Sequence, residues 1–325
     1  MQIDSSSLYR DIFKRAFFIT IKNKFLWIFG FFTTFLGLGS IYELVINKSL
    51  KNSDLFLSAS YKFSVASLSG MLISKNLDKI KFLNLFLFIG AVILLLAVLG
   101  VFIWLAIISL GSLIHASKNL DLKKKADFSK SFNAVKSKFW RLLSINLTGK
   151  ILIFIFLFIT GALFSMILLN QSLGKALIYF LVYLILVALS LAISFLTIYA
   201  SCFAVLKSDS LKKSISGAWK LFKENWIVSA ESAVIMFGIN IAVKFILFLS
   251  LIIFSIPFML LLIIFYYGAV AAAPTIILAA WIFVSIILMI IIGSFFSAFQ
   301  IVAWTLLFDR ISKGGVLSKL HRIFG

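Results

Sequence analysis

The sequence predicts an all-α, polytopic membrane protein: a helical bundle of about six spans with amphipathic helices lying on its cytoplasmic surface. Three observations predict it. The 325 residues are 62% hydrophobic and 13% charged, whereas a water-soluble domain averages about 45–50% apolar and 25% charged. The mean hydropathy of +1.14 comes from apolar residues gathered in long blocks, and blocks of roughly 20 residues suit a hydrocarbon layer ~30 Å thick. With two prolines and no strand alternation, the spans are expected to be helices, which satisfy their own backbone hydrogen bonds in lipid.

Taken in order, the first span is expected at Phe25–Ile46 and the second at Phe82–Ile114. The third centres on Ile151–Leu169 and the fourth covers Leu177–Leu206. The fifth falls within Ile227–Phe265, and the sixth covers Ile276–Phe308. At 1.5 Å of rise per residue the second and sixth outrun a ~30 Å core, so they should tilt or project beyond the lipid. Pro257 should kink the fifth.

Most of the 31 lysines and arginines fall in segments 1–24, 116–150, 207–226 and 309–325. The positive-inside rule then places both termini in the cytoplasm, as an even number of spans requires. The lysine-bearing loop 47–81 is discordant. A basic start before an apolar run also fits a cleaved signal peptide, with Gly37, Gly39 and Ser40 near a cleavage point. Recurrence of the arrangement before later spans argues that the first is retained.

That recurrence is a box. Phe18, Ile21, Lys22, Lys24 and Phe25 are matched by Phe132, Val135, Lys136, Lys138 and Phe139, and again by Trp219, Phe222, Lys223, Asn225 and Trp226. The apolar members stand at i, i+3 and i+7, one stripe of a helix, which Leu211 and Ile215 extend in the third copy. Each box precedes a pair of spans. The chain thus reads as one integral membrane domain over 1–325 of three units, 8–115, 121–206 and 209–308, with a basic cytoplasmic tail at 309–325. Each unit would be a basic amphipathic helix followed by a hairpin, the helix lying in the headgroups with its aromatics down and lysines in water. Lys22, Lys24, Phe25, Trp27, Lys136, Lys138, Phe139, Trp140, Trp219, Lys223 and Trp226 are the expected membrane-interface residues. The net charge of +20 then points to anionic inner-leaflet lipids as partners. No nucleic-acid motif is present, and protein partners or a homo-oligomer remain open.

IKNKFLWIFGFF, SFNAVKSKFWRLL and SLKKSISGAWKLFKENW resemble the bacterial six-helix integral membrane proteins loosely grouped with the glycerophosphoryl diester phosphodiesterase membrane domain. The resemblance covers most of the chain and implies the architecture and a bacterial cytoplasmic membrane. The phosphodiesterase activity of the named cases belongs to a separate soluble domain, for which this sequence leaves no room, so no catalytic residue is carried over.

Polar residues within apolar blocks are the remaining candidates, because a charge in lipid is costly. Lys244 shares a helical face with Asn240, Ala233 and Ser229. It either serves a polar pathway or snorkels from a span at Phe245–Phe265. Glu231 faces nearly the opposite side and reads as a membrane-surface residue. Ser190, Ser194, Thr197, Ser201 and Ala204 form a small, hydroxyl-bearing stripe that suits helix packing or, alternatively, a solute path. Gly293, Ser294, Ser297 and Ala298 read alike, and nearby Gln300 needs a partner if buried.

Cys202, the single cysteine, excludes an intrachain disulfide and reads as a packed thiol. With only His115 and His321 beside it, a structural zinc site is not expected. His115 ends the second span. No P-loop, nucleophile elbow or HExxH helix occurs. The sequence therefore predicts a non-enzymatic membrane-embedded module without cofactors, with a transporter or lipid-handling carrier as the alternative.

Overall fold

A computed structural model of the chain describes residues 5–34, 36, 82–169, 173–267 and 273–314. Among them are nine α-helices and no strand: α1 (Ser5–Lys22), α2 (Phe25–Thr34), α3 (Phe82–Asp121), α4 (Phe128–Lys136), α5 (Phe139–Leu169), α6 (Leu173–Cys202), α7 (Leu211–Glu224), α8 (Trp226–Tyr267) and α9 (Ala273–Ser312). A π-helical turn, Phe203–Lys207, continues α6. Among the described residues five helices are long and apolar enough to cross a membrane, or six if α1 and α2, bent by 108°, count as one span. The all-α bundle of about six spans is therefore present.

Its boundaries differ in places from the expected ones. Helix α3 runs past Ile114 and His115 to Asp121, and α8 is one helix through Pro257. Helix α2 ends at Thr34; most of the rest of the expected first span, the loop 47–81 and the tail beyond 314 lie outside the described residues.

Residues 40–104 form one compact unit, and 1–39 with 105–325 another. The described part of the former is the first stretch of α3, exposed from Val92 to Ile103.

In the larger unit, burial is concentrated toward one end of the long helices. Ala106–Ser117 of α3, Leu142–Asn146 of α5, the stretch of α6 from Phe195, Val228–Asn240 of α8 and Ser294–Ile311 of α9 supply most of the buried side chains. The remaining lengths, such as Leu177–Leu189 of α6 and Phe245–Phe265 of α8, present leucine, isoleucine and phenylalanine outward. This is the expected division for helices in lipid, where apolar side chains gain nothing by leaving the hydrocarbon and close packing needs small or polar residues.

Those small residues stand at the contacts. Thr197 of α6 lies where a Cβ on Gly149 of α5 would be. Gly111 of α3 makes room for Val135 and Leu142, and Gly30 of α2 sits on the Ser294 carbonyl of α9. Helix α9 is the axis, meeting α1, α2, α6 and α8. Aromatic contacts fill the seams: Phe195–Trp304 at 5.4 Å, Phe203–Phe308 at 4.9 Å, Phe17–Phe295 at 5.8 Å and Phe29–Phe128 at 4.6 Å.

Each box marks a helix break rather than one continuous stripe. Helices α1, α4 and α7 end at Lys22, Lys136 and Glu224, and α2, α5 and α8 begin at Phe25, Phe139 and Trp226. No glycine or proline stands there. Side chains add bonds to the last-turn carbonyls: Asn23 Nδ2 donates to Ile19 O and Asn225 Nδ2 to Leu221 O, each beside the residue's own backbone N–H, and Trp27 Nε1 donates to Thr20 O.

Candidate functional site: the packed end and its basic, aromatic rim

Because each box is interrupted, its apolar positions diverge. Trp219 and Trp226 are 57% and 59% exposed, together with Leu211 and Ile215, and Phe18 and Ile21 of α1 face outward likewise. Val135 is fully buried against Gly111, and Phe222 stacks on Phe195 at 5.8 Å. Helix α7 is accordingly three-sided. Ser214, Ala218 and Leu221 face the bundle, an apolar stripe faces out, and Lys213, Lys220 and Lys223 flank it. Trp140 is 76% exposed at the start of α5.

The interface lysines also diverge. Lys22, Lys24, Lys136 and Lys223 are exposed. Lys138 is instead a helix cap: its Nζ donates to Val205 O at 2.6 Å and Ser208 Oγ at 2.8 Å, where Ser208 turns the chain at φ 57°. Arg141 adds bonds to Ser208 O and Asp209 O. Burial, then the Arg141 charge, push the Lys138 ammonium below its ordinary pKa. Phe25, Phe139 and Trp27 are half-buried, and Trp27 packs on Phe295 at 5.4 Å.

The hydroxyl stripe of α6 is turned into the protein. Ser190, Ser194, Thr197 and Ser201 are buried, each bonding the carbonyl four residues back. Asn146 of α5 reaches Ser201 Oγ at 3.3 Å. On α9, Ser297 Oγ meets Thr33 Oγ of α2 at 2.9 Å. Asn240 and Gln300 are buried, and Gln300 Oε1 meets no donor among the described residues. Cys202 is a buried free thiol. Lys244 is exposed on α8, beyond buried Ser229, Ala233 and Asn240.

Several polar partners join residues far apart in sequence. Asp309 of α9 accepts from Lys118 of α3 and from Lys313 at 2.8 Å. Glu231 is not simply a surface residue, because the Tyr9 hydroxyl of α1 donates to it. Tyr199 and Ser229 bond at 2.8 Å between α6 and α8. Lys150 Nζ donates to the Leu36 carbonyl. The sequence carries no local signal for these pairs. Among the described residues no three His, Cys, Asp or Glu side chains gather as metal ligands would.

No family model matches the chain, and neither a curated protein nor a solved structure does. The length and composition of its helices make this a multi-pass membrane protein.

Proposed function

We propose that the chain is a non-enzymatic membrane-embedded module of a bacterial cytoplasmic membrane, with its packed, basic end and both termini on the cytoplasmic side and anionic lipids around its rim. The α6 stripe carries this reading. Its hydroxyls are spent on their own helix and on close approach to α5, which is packing rather than the lining of a passage. The resemblance of its boxes to the six-helix proteins named above, and the exposed tryptophans beside lysines, support it further.

The α5–α6 hairpin supplies the depth scale. Between Lys150 and the first turn of α6, which carries Lys175, Ile151–Leu169 is free of charge and rises ~28 Å, one hydrocarbon thickness. Thr197 against Gly149 and Tyr199 bonded to Ser229 bring the start of α8 near the Lys150 level. Trp226, one turn below Ser229, then falls in the inner headgroups.

This frame sets Lys244 roughly 22 Å of helix rise beyond Ser229, inside the hydrocarbon depth. That placement is what favours the second reading, a carrier, since an ionisable group there is costly without a role. Flux into proteoliposomes separates the two. The module reading expects wild type and Lys244→Ala to match empty liposomes for solutes and for lipid exchange. Flux by wild type that Lys244→Ala abolishes would replace it with the carrier.

A further inference from the structure

An open groove of about 640 Å³ lies at the basic end, between α1, the end of α3 and the end of α9. Its charged lining is strongly unbalanced. Lys14, Arg15, Lys22, Lys123 and Arg310 face it, against Asp11 and Asp121. Arg15 neutralises Asp121 at 2.9 Å, which leaves four cations and one acid. The volume is that of a small-molecule site, and Phe18 and Leu120 give it an apolar wall as well.

Two features go beyond a merely basic surface. The cations come from separate elements, α1, the turn after α3 and α9, so their convergence is produced by the fold and not by a run of lysines. Lys123 sits at φ 57°, a left-handed position where glycine is usual and a side chain costs about 1 kcal/mol. Its amide closes α3 on Leu120 O at 3.0 Å, so the turn that holds the Lys123 side chain beside the groove is a built one.

We infer that this groove is a discrete site for a phosphate-bearing anion, either the headgroup of an anionic phospholipid or a free phosphate. Clustered ammonium and guanidinium groups suit phosphate oxygens, and Arg310 adds planar two-point bonding. The apolar wall suits the glycerol end of a lipid. The site goes beyond the diffuse attraction of the rim, because it is saturable and local; its lipid form rests on the inner-leaflet placement proposed above.

Native mass spectrometry of the full chain in detergent tests it, with dioleoyl phosphatidic acid as probe and phosphatidylcholine as reference. Lys14, Lys22 and Lys123 are exposed, so Lys14→Gln, Lys22→Gln and Lys123→Gln together leave the packing intact. The matched control is Lys130→Gln, Lys213→Gln and Lys220→Gln, exposed lysines of α4 and α7. The groove triple is expected to weaken the first bound phosphatidate at least about tenfold, and the control less than about twofold. Displacement by millimolar orthophosphate identifies a site open to free phosphate, and resistance to it a lipid site; either result supports the groove. Equal losses in both triples, or none in either, would overturn it while leaving the inner-leaflet placement standing. No preference for phosphatidate over phosphatidylcholine in wild type would overturn both the groove and the anionic-lipid partnership.

Discussion

Replacing Asp309 with alanine is expected to lower the stability of the fold in detergent by about 2–3 kcal/mol, read as a clear fall in melting temperature. The Asp309 side chain is 11% exposed and Lys118 is 21% exposed, so neither is well solvated, and removing the carboxylate strands an ammonium between α3 and α9. Lys313 shares the carboxylate but is 61% exposed and lies in the turn just past the end of α9. Lys313→Ala should therefore cost less than about 0.5 kcal/mol. The double substitution Asp309→Ala with Lys118→Met should recover most of the loss, because it removes the stranded charge together with its partner. A double mutant as unstable as Asp309→Ala would show that Asp309 acts through something other than Lys118.

Gly30→Ala is expected to cost a similar amount, about 2–3 kcal/mol, although alanine is the better helix former. A Cβ at Gly30 would overlap the Ser294 backbone carbonyl and press the Ala298 Cβ. A helix backbone cannot turn aside as a side chain can, so α2 must lift. Lifting α2 breaks the Thr33–Ser297 bond and the Trp27–Phe295 and Phe29–Phe128 contacts. Gly238 of α8 is the control, with nothing near its would-be Cβ. Gly238→Ala should be neutral or stabilise by up to about 1 kcal/mol. Equal melting temperatures for the two variants would contradict the seating of α2.

The sequence made the spans legible because a helix in lipid must advertise itself as a long charge-free run. It also made the α6 stripe legible, since five small or hydroxyl residues at helical spacing suit helix packing, and Gly149 stands opposite Thr197. The boxes were legible as a recurrence but not as breaks. Their i, i+3, i+7 spacing suggested one stripe, while the breaks, two of them accompanied by Asn23, Trp27 and Asn225 bonding last-turn carbonyls, have no glycine or proline to give warning. Lys138 looked like a headgroup lysine because its acceptors, Val205 and Ser208, are remote in sequence. The Tyr9–Glu231 and Lys118–Asp309 pairs were hidden for the same reason. The groove was hidden too, since its cations join only when α1, α3 and α9 are assembled.

The placement of the bilayer is the claim on which the functional reading turns, and a depth scan along α8 tests it most directly. Trp226, Val234, Ile241 and Phe248 are all exposed on α8, and the one native cysteine, Cys202, is buried and out of reach of label. Spin labels on cysteines at these four positions and at exposed Ile263, in reconstituted bilayers, report contact with oxygen in lipid and with a water-soluble nickel reagent. The account predicts oxygen contact highest at Ile241, lower toward either edge at Val234 and Phe248, and interfacial values at Trp226. A fully aqueous Trp226 and Val234, with oxygen contact still rising from Phe248 to Ile263, would contradict it.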